Sequence, residues 1–318
     1  MNIKEIYPLY VEQQLKAEFG ESYQKVRQAY KDNRIEEFLQ EFLLNPATNY
    51  YASTTTPKQI EATVQRFISL FEWQKEKQIY KFDDELWSLL IQVDKLEIHC
   101  SVFQSLPFQV FWIDHIFENE LNGCMVICNE DYIKLCFFAE RTISYICLPF
   151  RDDVEGKTIE ELIESHVNAT ISSEMMKWYT KNIRAALNAV IYLCTDKPDI
   201  STYQTELPVF SSPKANKRNN KKKKAEKKKN VTSISNVGLT IGRYIRETKR
   251  TVSSTTHTGN GSGSGTPKAP HMRKAHYHSF WTKDGDKKKL IVKFLSPILV
   301  NGGKADDIKP TIRVKRMR

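Results

Sequence analysis

Glycine and proline are scarce, twelve of each in 318 residues, and cysteine is scarcer still, at six. Cys100, Cys124, Cys128, Cys136, Cys147 and Cys194 sit among apolar neighbours with no Cys-x-x-Cys spacing, and none lies beyond Cys194. That is the setting of buried, reduced thiols, and it supports neither a disulfide framework nor a zinc site. No apolar run approaches the roughly 20 residues of a membrane span. Glu5, Glu12 and Glu18 interrupt any charged-then-apolar leader. The sequence therefore reads as a cytoplasmic protein with no membrane partner. Gly238-Leu239-Thr240-Ile241-Gly242 lacks the Gly-Lys-Ser/Thr ending of a phosphate loop. Nothing in the chain calls for a cofactor, and no enzyme signature stands out.

Acidic residues are missing from one part of the chain. Residues 1–206 carry 20 Lys/Arg against 32 Asp/Glu, a balance of −12, whereas residues 207–318 carry 28 against 6, a balance of +22. The overall +10 hides an acidic body joined to a basic third, and such a third suits a polyanion, most simply RNA or DNA.

Along the chain, residues 9–31 carry an apolar stripe that predicts an amphipathic helix. A second helix spans Ile35–Leu43, closed by Asn45-Pro46. Thr56-Pro57 opens a long one reaching about Tyr80, and Asp83 and Asp84 cap another. The texture then turns to strands. Leu106–Asp114, Gly123–Cys128, Tyr132–Phe138 and Ile143–Leu148 are short aromatic and β-branched runs about a dozen residues apart, the pattern of an antiparallel meander. Helix returns near Thr158–Leu162 and from Ser173 to Leu193, where Asp196-Lys197-Pro198 stops it. The lysine run at 221–229 reads as a solvated linker, Val237–Arg246 as one strand, and Thr258–Gly265 as a flexible spacer. Strands are expected near Ala275–Thr282, Lys289–Leu295 and Thr311–Val314, the first two joined by a turn. These elements predict an α+β protein: a helical region (1–95), a central antiparallel α+β domain (96–207), a linker with a short ordered insert (208–268) and a basic β-rich region (269–318).

The densest chemistry lies in Pro270-His271-Met272-Arg273-Lys274-Ala275-His276-Tyr277-His278-Ser279-Phe280-Trp281, which holds three of the seven histidines. Four readings compete. Three imidazoles suit a metal, but no Cys, Asp or Glu stands nearby to complete the shell, and Arg273 and Lys274 oppose a cation. His276 and His278 beside basic groups suit metal-independent RNA cleavage. Cations with Tyr277, Phe280 and Trp281 suit phosphates and unpaired bases, with Lys289 and Lys293 on the next strand. The last reading is a plain core strand. Alternation puts His276, His278 and Phe280 on one face and Tyr277, Ser279 and Trp281 on the other. In the acidic body, Phe108, Phe111, Trp112 and Asp114 are candidates for a peptide groove, with a core strand as the competing reading.

That block resembles the C-terminal signature of a family of phage and plasmid anti-CRISPR proteins acting against the type V-A effector nuclease. The family form is Pro-His-x-Arg-Arg-x-His-Trp-His-x-Tyr-Trp, followed by a basic aromatic strand and an ending here written Pro297-Ile298-Leu299-Val300-Asn301. Weaker echoes run in order from Leu106-Pro107, through Leu193-Cys194 and Pro198-Asp199-Ile200, to Ile241-Gly242. Lys274, Tyr277 and Phe280 depart from the family's Arg, Trp and Tyr while keeping charge or aromaticity. Lys does not replace Arg in a bidentate contact. The resemblance implies a non-enzymatic inhibitor of effector production in the bacterial host cell. Such a protein recognises the nascent effector polypeptide during translation and promotes loss of its mRNA. Its partners would be that polypeptide and RNA or the ribosome. The alternatives from the residues alone are the ribonuclease and a general nucleic-acid-binding protein of a mobile element.

Overall fold

In the computed structural model, the described residues are 7–44, 56–118, 121–139, 143–150, 157–167, 173–206, 231–255, 271–284 and 287–300. The expected strand near Thr311–Val314, the lysine run, the glycine-rich spacer and the hairpin tip at 285–286 lie outside them.

Four helices come first: α1 (Tyr7–Phe19), α2 (Ser22–Lys31), α3 (Ile35–Leu44) and α4 (Pro57–Glu76). The single helix expected over 9–31 is two, because Gly20 takes a φ of +52° that ends α1. Only a residue without a Cβ adopts that backbone at little cost. Pro57 stands at the first turn of α4, as the sequence predicts, and Thr56 and Gln59 add a reciprocal capping box. α4 stops at Glu76, short of the expected Tyr80, since Lys77 is left-handed (φ +51°) and the chain turns straight into strand β1 (Gln78–Phe82). The β-branched and aromatic character of Ile79-Tyr80-Phe82 outweighs the helical run before it.

After α5 (Asp84–Leu90), capped by Asp83, come a 3-10 turn (Cys100–Ser105) and the meander β2 (Val110–Asp114), β3 (Cys124–Cys128), β4 (Tyr132–Phe138) and β5 (Ile143–Pro149). Then follow α6 (Ile159–Val167), α7 (Ser173–Leu193), β6 (Ile200–Glu206), β7 (Val231–Val237) and α8 (Leu239–Thr255). The seven strands form one sheet in the order β5-β4-β3-β2-β1-β7-β6. Its pairings are antiparallel except around β1, which runs parallel to both β2 and β7. The strand expected at Val237–Arg246 is helix instead. Gly238 (φ +82°) ends β7, and Gly242 and Ile245, three apart and both buried, then face inward at helical spacing.

The sheet separates two cores. Alternation along β2 sends Phe111 and Ile113 to one side and Val110 and Trp112 to the other. The second side is covered by α1–α4, with Phe67, Leu70, Phe71 and Trp73 buried from α4. The first is covered by α5 and α7, with Ile183, Leu187 and Val190 buried. Gly123 (φ +139°) makes room for the Trp112 indole, since a Cβ there would lie 2.2 Å from its ring.

The C-terminal strands do not enter this sheet. β9 (His276–Asp284) pairs antiparallel with β10 (Lys287–Leu295), and β8 (His271–Arg273) pairs with β11 (Ile298–Val300). No helix among the described residues is long and apolar enough to cross a membrane.

Candidate nucleic-acid interface

Register fixes which residues share a face of the β9–β10 pair. Tyr277 stands opposite Phe294, Ser279 opposite Val292 and Trp281 opposite Leu290. This side docks on the body. The Tyr277 hydroxyl donates to the Asn188 carbonyl (2.7 Å), and burial pushes its pKa well up. Tyr277 and Tyr192 both pack against Phe294, at 5.4 and 5.3 Å between centroids. The Asp196 amide donates to the Val292 carbonyl (2.8 Å). Trp281 marks the margin of the docked side: it meets the His99 ring edge-on at 5.3 Å and remains 51% exposed. His99 itself caps the 3-10 turn, its Nδ1 accepting from the Ser101 amide (3.1 Å).

The opposite side carries His276, His278, Phe280 and Thr282 from β9, facing Leu295, Lys293, Ile291 and Lys289 from β10. His276, His278, Lys289 and Lys293 are exposed, and Phe280 is half-buried. The Lys293 ammonium lies 5.3 Å over the Phe280 ring, which meets His278 edge-on at 5.8 Å. No carboxylate falls within 276–283 or 288–295. The β9–β10 pair therefore presents two imidazoles, two ammonium groups and an aromatic ring on one outer surface. Cations meet phosphates and rings meet bases, a combination suited to unpaired nucleic acid.

The other sequence candidates separate. His271 and Arg273 lie on β8 and Lys274 just beyond it, where Lys274 forms an exposed pair with Asp94 (3.5 Å). Phe111 and Trp112 are both fully buried, on opposite sides of the sheet, so they are core residues and line no groove together. Phe108 packs half-buried against the first core, and Asp114 is paired with Lys81 (3.0 Å). All six cysteines are free, and burial raises their pKa values, to about 12 for Cys100 and Cys128. Among the described residues, no group of His, Cys, Asp and Glu could hold a metal ion.

A second feature lies across the sheet. A cavity of ≈ 470 Å³ opens between α3, α4 and β5, lined by Glu36, Gln40, Ile60, Glu61, Val64 and Tyr145 among others. The Tyr145 hydroxyl donates to Glu61, and that bond, with burial, pushes its pKa up to about 12. Lys134 lies 4.8 Å over the Tyr145 ring. Its lining joins the exposed carboxylates of Glu36 and Glu61 to the half-buried Ile60 and the buried Val64. Sequence reasoning missed this site. Its signal is the Glu36-Glu37 pair with Gln40 and Glu41 on α3, but nothing in the sequence brings α3 to β5.

No curated protein matches the chain. A crystal structure of AcrVA2 superposes with a TM-score of 0.55 at 16% identity, covering 94% of this chain and 99% of that one, which establishes a shared fold. The family model described as AcrVA2-like, the anti-CRISPR type V subtype A2 family, matches residues 80–302. That match spans well over half of the chain and includes the β9–β10 pair, so the protein belongs to the AcrVA2-like family of anti-CRISPR proteins.

Proposed function

We propose that this protein lowers production of a type V-A effector by recognising the effector's nascent polypeptide during translation, while its C-terminal hairpin contacts RNA or the ribosome, and that loss of the encoding mRNA follows. Family membership supplies the target class. The observation that carries the RNA contact is the outer side of β9–β10, with exposed His276, His278, Lys289 and Lys293 around Phe280. For the polypeptide, the α3–α4–β5 cavity offers Glu36 and Glu61 above Ile60 and Val64, chemistry complementary to a basic, amphipathic segment.

The decisive experiment compares effector mRNA and protein in cells with and without this chain. Three effector genes are used: native, synonymously recoded over the first codons, and altered in the encoded N-terminal peptide. Loss of mRNA from the first two and not the third supports peptide recognition. Loss from all three, or from none, overturns it. One further reading keeps a specific footing, since His276 and His278 share an exposed face: cleavage of RNA by the hairpin itself. Intact RNA after incubation with excess purified protein removes it. If effector levels never change but RNA is bound, general nucleic-acid binding by a mobile-element protein takes precedence.

A further inference from the structure

A second basic element is mounted beside the hairpin. α8 lies along α5, with Gly242 and Ile245 buried and the partly exposed Arg246 and Lys249 turned to carboxylates at the start of α5. Gly242 brings the backbone so near that a Cβ there would fall 1.9 Å from Asp83 Oδ1. Arg246 Nη1 holds both Asp83 oxygens, at 3.0 and 3.1 Å, and Lys249 pairs with Glu85. With that side committed, Arg243, Glu247 and Arg250 stand on the outer side, all exposed. The first-turn amides of Thr240 and Ile241 already donate to Asp199 Oδ2, at 2.7 and 3.1 Å, so α8 offers side chains and not its N-terminus.

Hairpin and helix hang from one short connector. Asp196 binds the hairpin through Val292, and Asp199 caps α8. The Asp199 amide also donates to the Tyr192 hydroxyl (3.2 Å), whose ring packs on Phe294 of β10. Three residues span at most about 10 Å of chain, which bounds the gap between the two anchor points. Inside it stands Lys197, exposed and left-handed at φ +60°.

Resting on the nucleic-acid reading of the hairpin, we propose that Lys197 and the outer side of α8, through Arg243 and Arg250, continue the hairpin's outer face into one track for single-stranded RNA. Phosphates follow the cations, and unpaired bases stack on Phe280 of the outer face, with the half-exposed Trp281 reachable only around the hairpin's edge, at the margin of the docked side. Those rings are why the partner is single-stranded: a duplex keeps its base faces covered. Asp196 and Glu247 are acidic groups beside the route, so the attraction is graded along it and strongest at the hairpin.

The test titrates labelled oligouridines of graded length, from ~6 to ~30 nucleotides, against the full chain at several salt concentrations. Three proteins are compared: wild type, Arg243→Gln/Arg250→Gln and Lys289→Gln/Lys293→Gln, each with its melting temperature recorded. The helix variant should bind the shortest RNA like wild type and the longest more weakly. Its salt slope on long RNA should be smaller by roughly 1.4, at ~0.7 per lost phosphate contact on a single strand. The hairpin variant should weaken binding at every length. If only the hairpin variant loses affinity, the α8 extension is wrong and the hairpin reading stands. If neither loses affinity, both fall. Because the exchanged side chains are exposed, an unchanged melting temperature is expected; a helix variant that melts early is replaced by Arg243→Lys/Arg250→Lys, which keeps the charge and should restore long-RNA binding.

Discussion

β2 and β9 are both aromatic strands, and they use their rings in opposite ways. In β2, Phe111 and Trp112 go to opposite sides of the sheet and both are fully buried, because each side is covered by helices. In β9, Tyr277 turns inward to Asn188 and Phe294, while His276, His278 and Phe280 turn to the exterior. The difference lies in the residues between the rings. β2 alternates apolar with apolar, the pattern of a strand covered on both sides, and β9 mixes its rings with His276, His278, Ser279, Thr282 and Lys283. A strand buried on both sides supports the fold. One buried on a single side leaves the other for a partner.

The largest test of that contrast is Trp112→Ala against Phe280→Ala. Trp112 packs on Tyr7 (5.5 Å) and Phe138 (5.3 Å), so its truncation should cost ~3–5 kcal/mol in denaturant unfolding. Phe280→Ala should change stability far less and instead weaken single-stranded RNA binding by ~1–3 kcal/mol, the usual scale for one base-stacking ring. If Phe280→Ala destabilises as much as Trp112→Ala, the outer side of β9 is core and the interface is misplaced.

Next in size is Gly242→Ala. Helix propensity alone favours the alanine by about 1 kcal/mol. Against it, the new methyl meets an Asp83 carboxylate that Arg246 and the Glu85 amide hold in place, and overpacking of this kind costs ~1–3 kcal/mol. A net loss of stability is expected, and it should shrink when Asp83 is also replaced by Ala. A stabilised single variant would mean that α8 does not sit this close to α5.

Tyr277→Phe removes one hydrogen bond and keeps the ring. A loss of about 1 kcal/mol is expected, since the Asn188 carbonyl loses its second partner while staying within the α7 ladder. RNA affinity should be unchanged, because this hydroxyl faces the body. Reduced affinity at full stability would mean that the docked side also contacts RNA.

Much of this was legible in sequence because it is local. The β2–β5 meander follows from alternation and turn spacing, the start of α4 from Thr56-Pro57, and α7 from one long apolar stripe that ends before Asp196-Lys197-Pro198. What escaped depends on partners distant in the chain. β1 is five residues whose strand state needs both β2 and β7, the latter about 150 residues away. Val237–Arg246 reads as a strand until Asp199 captures its first amides and starts a helix. Alternation alone divided the hairpin's two faces, but which of them is covered depends on Asn188, Tyr192 and Asp196 of the body. The acidic cavity was not, because Glu36 and Tyr145 meet only after α3 and β5 pack on the same side of the sheet.

The smallest effect compares histidines. His276 and His278 stand exposed on β9, whereas His115, just after β2, lies against Trp87 with ring centroids 4.0 Å apart. Burial lowers the His115 pKa below its usual 6.5, only partly opposed by the carboxylates of Asp84 and Asp114. The unfolded chain therefore takes up a proton on this side chain at a pH where the folded chain still resists it. Stability then rises with pH through that window. Acidification from neutrality should lower the melting temperature until the pH passes below the folded-state pKa, where this contribution levels off. His115→Gln removes the titration, so the difference between wild type and variant should change with pH only across that interval. A constant difference from neutral to mildly acidic pH would show that His115 titrates alike in the folded and unfolded chains. The imidazole would then be as open to water as those on β9, and the contrast between the two strands would not extend to the residues that follow them.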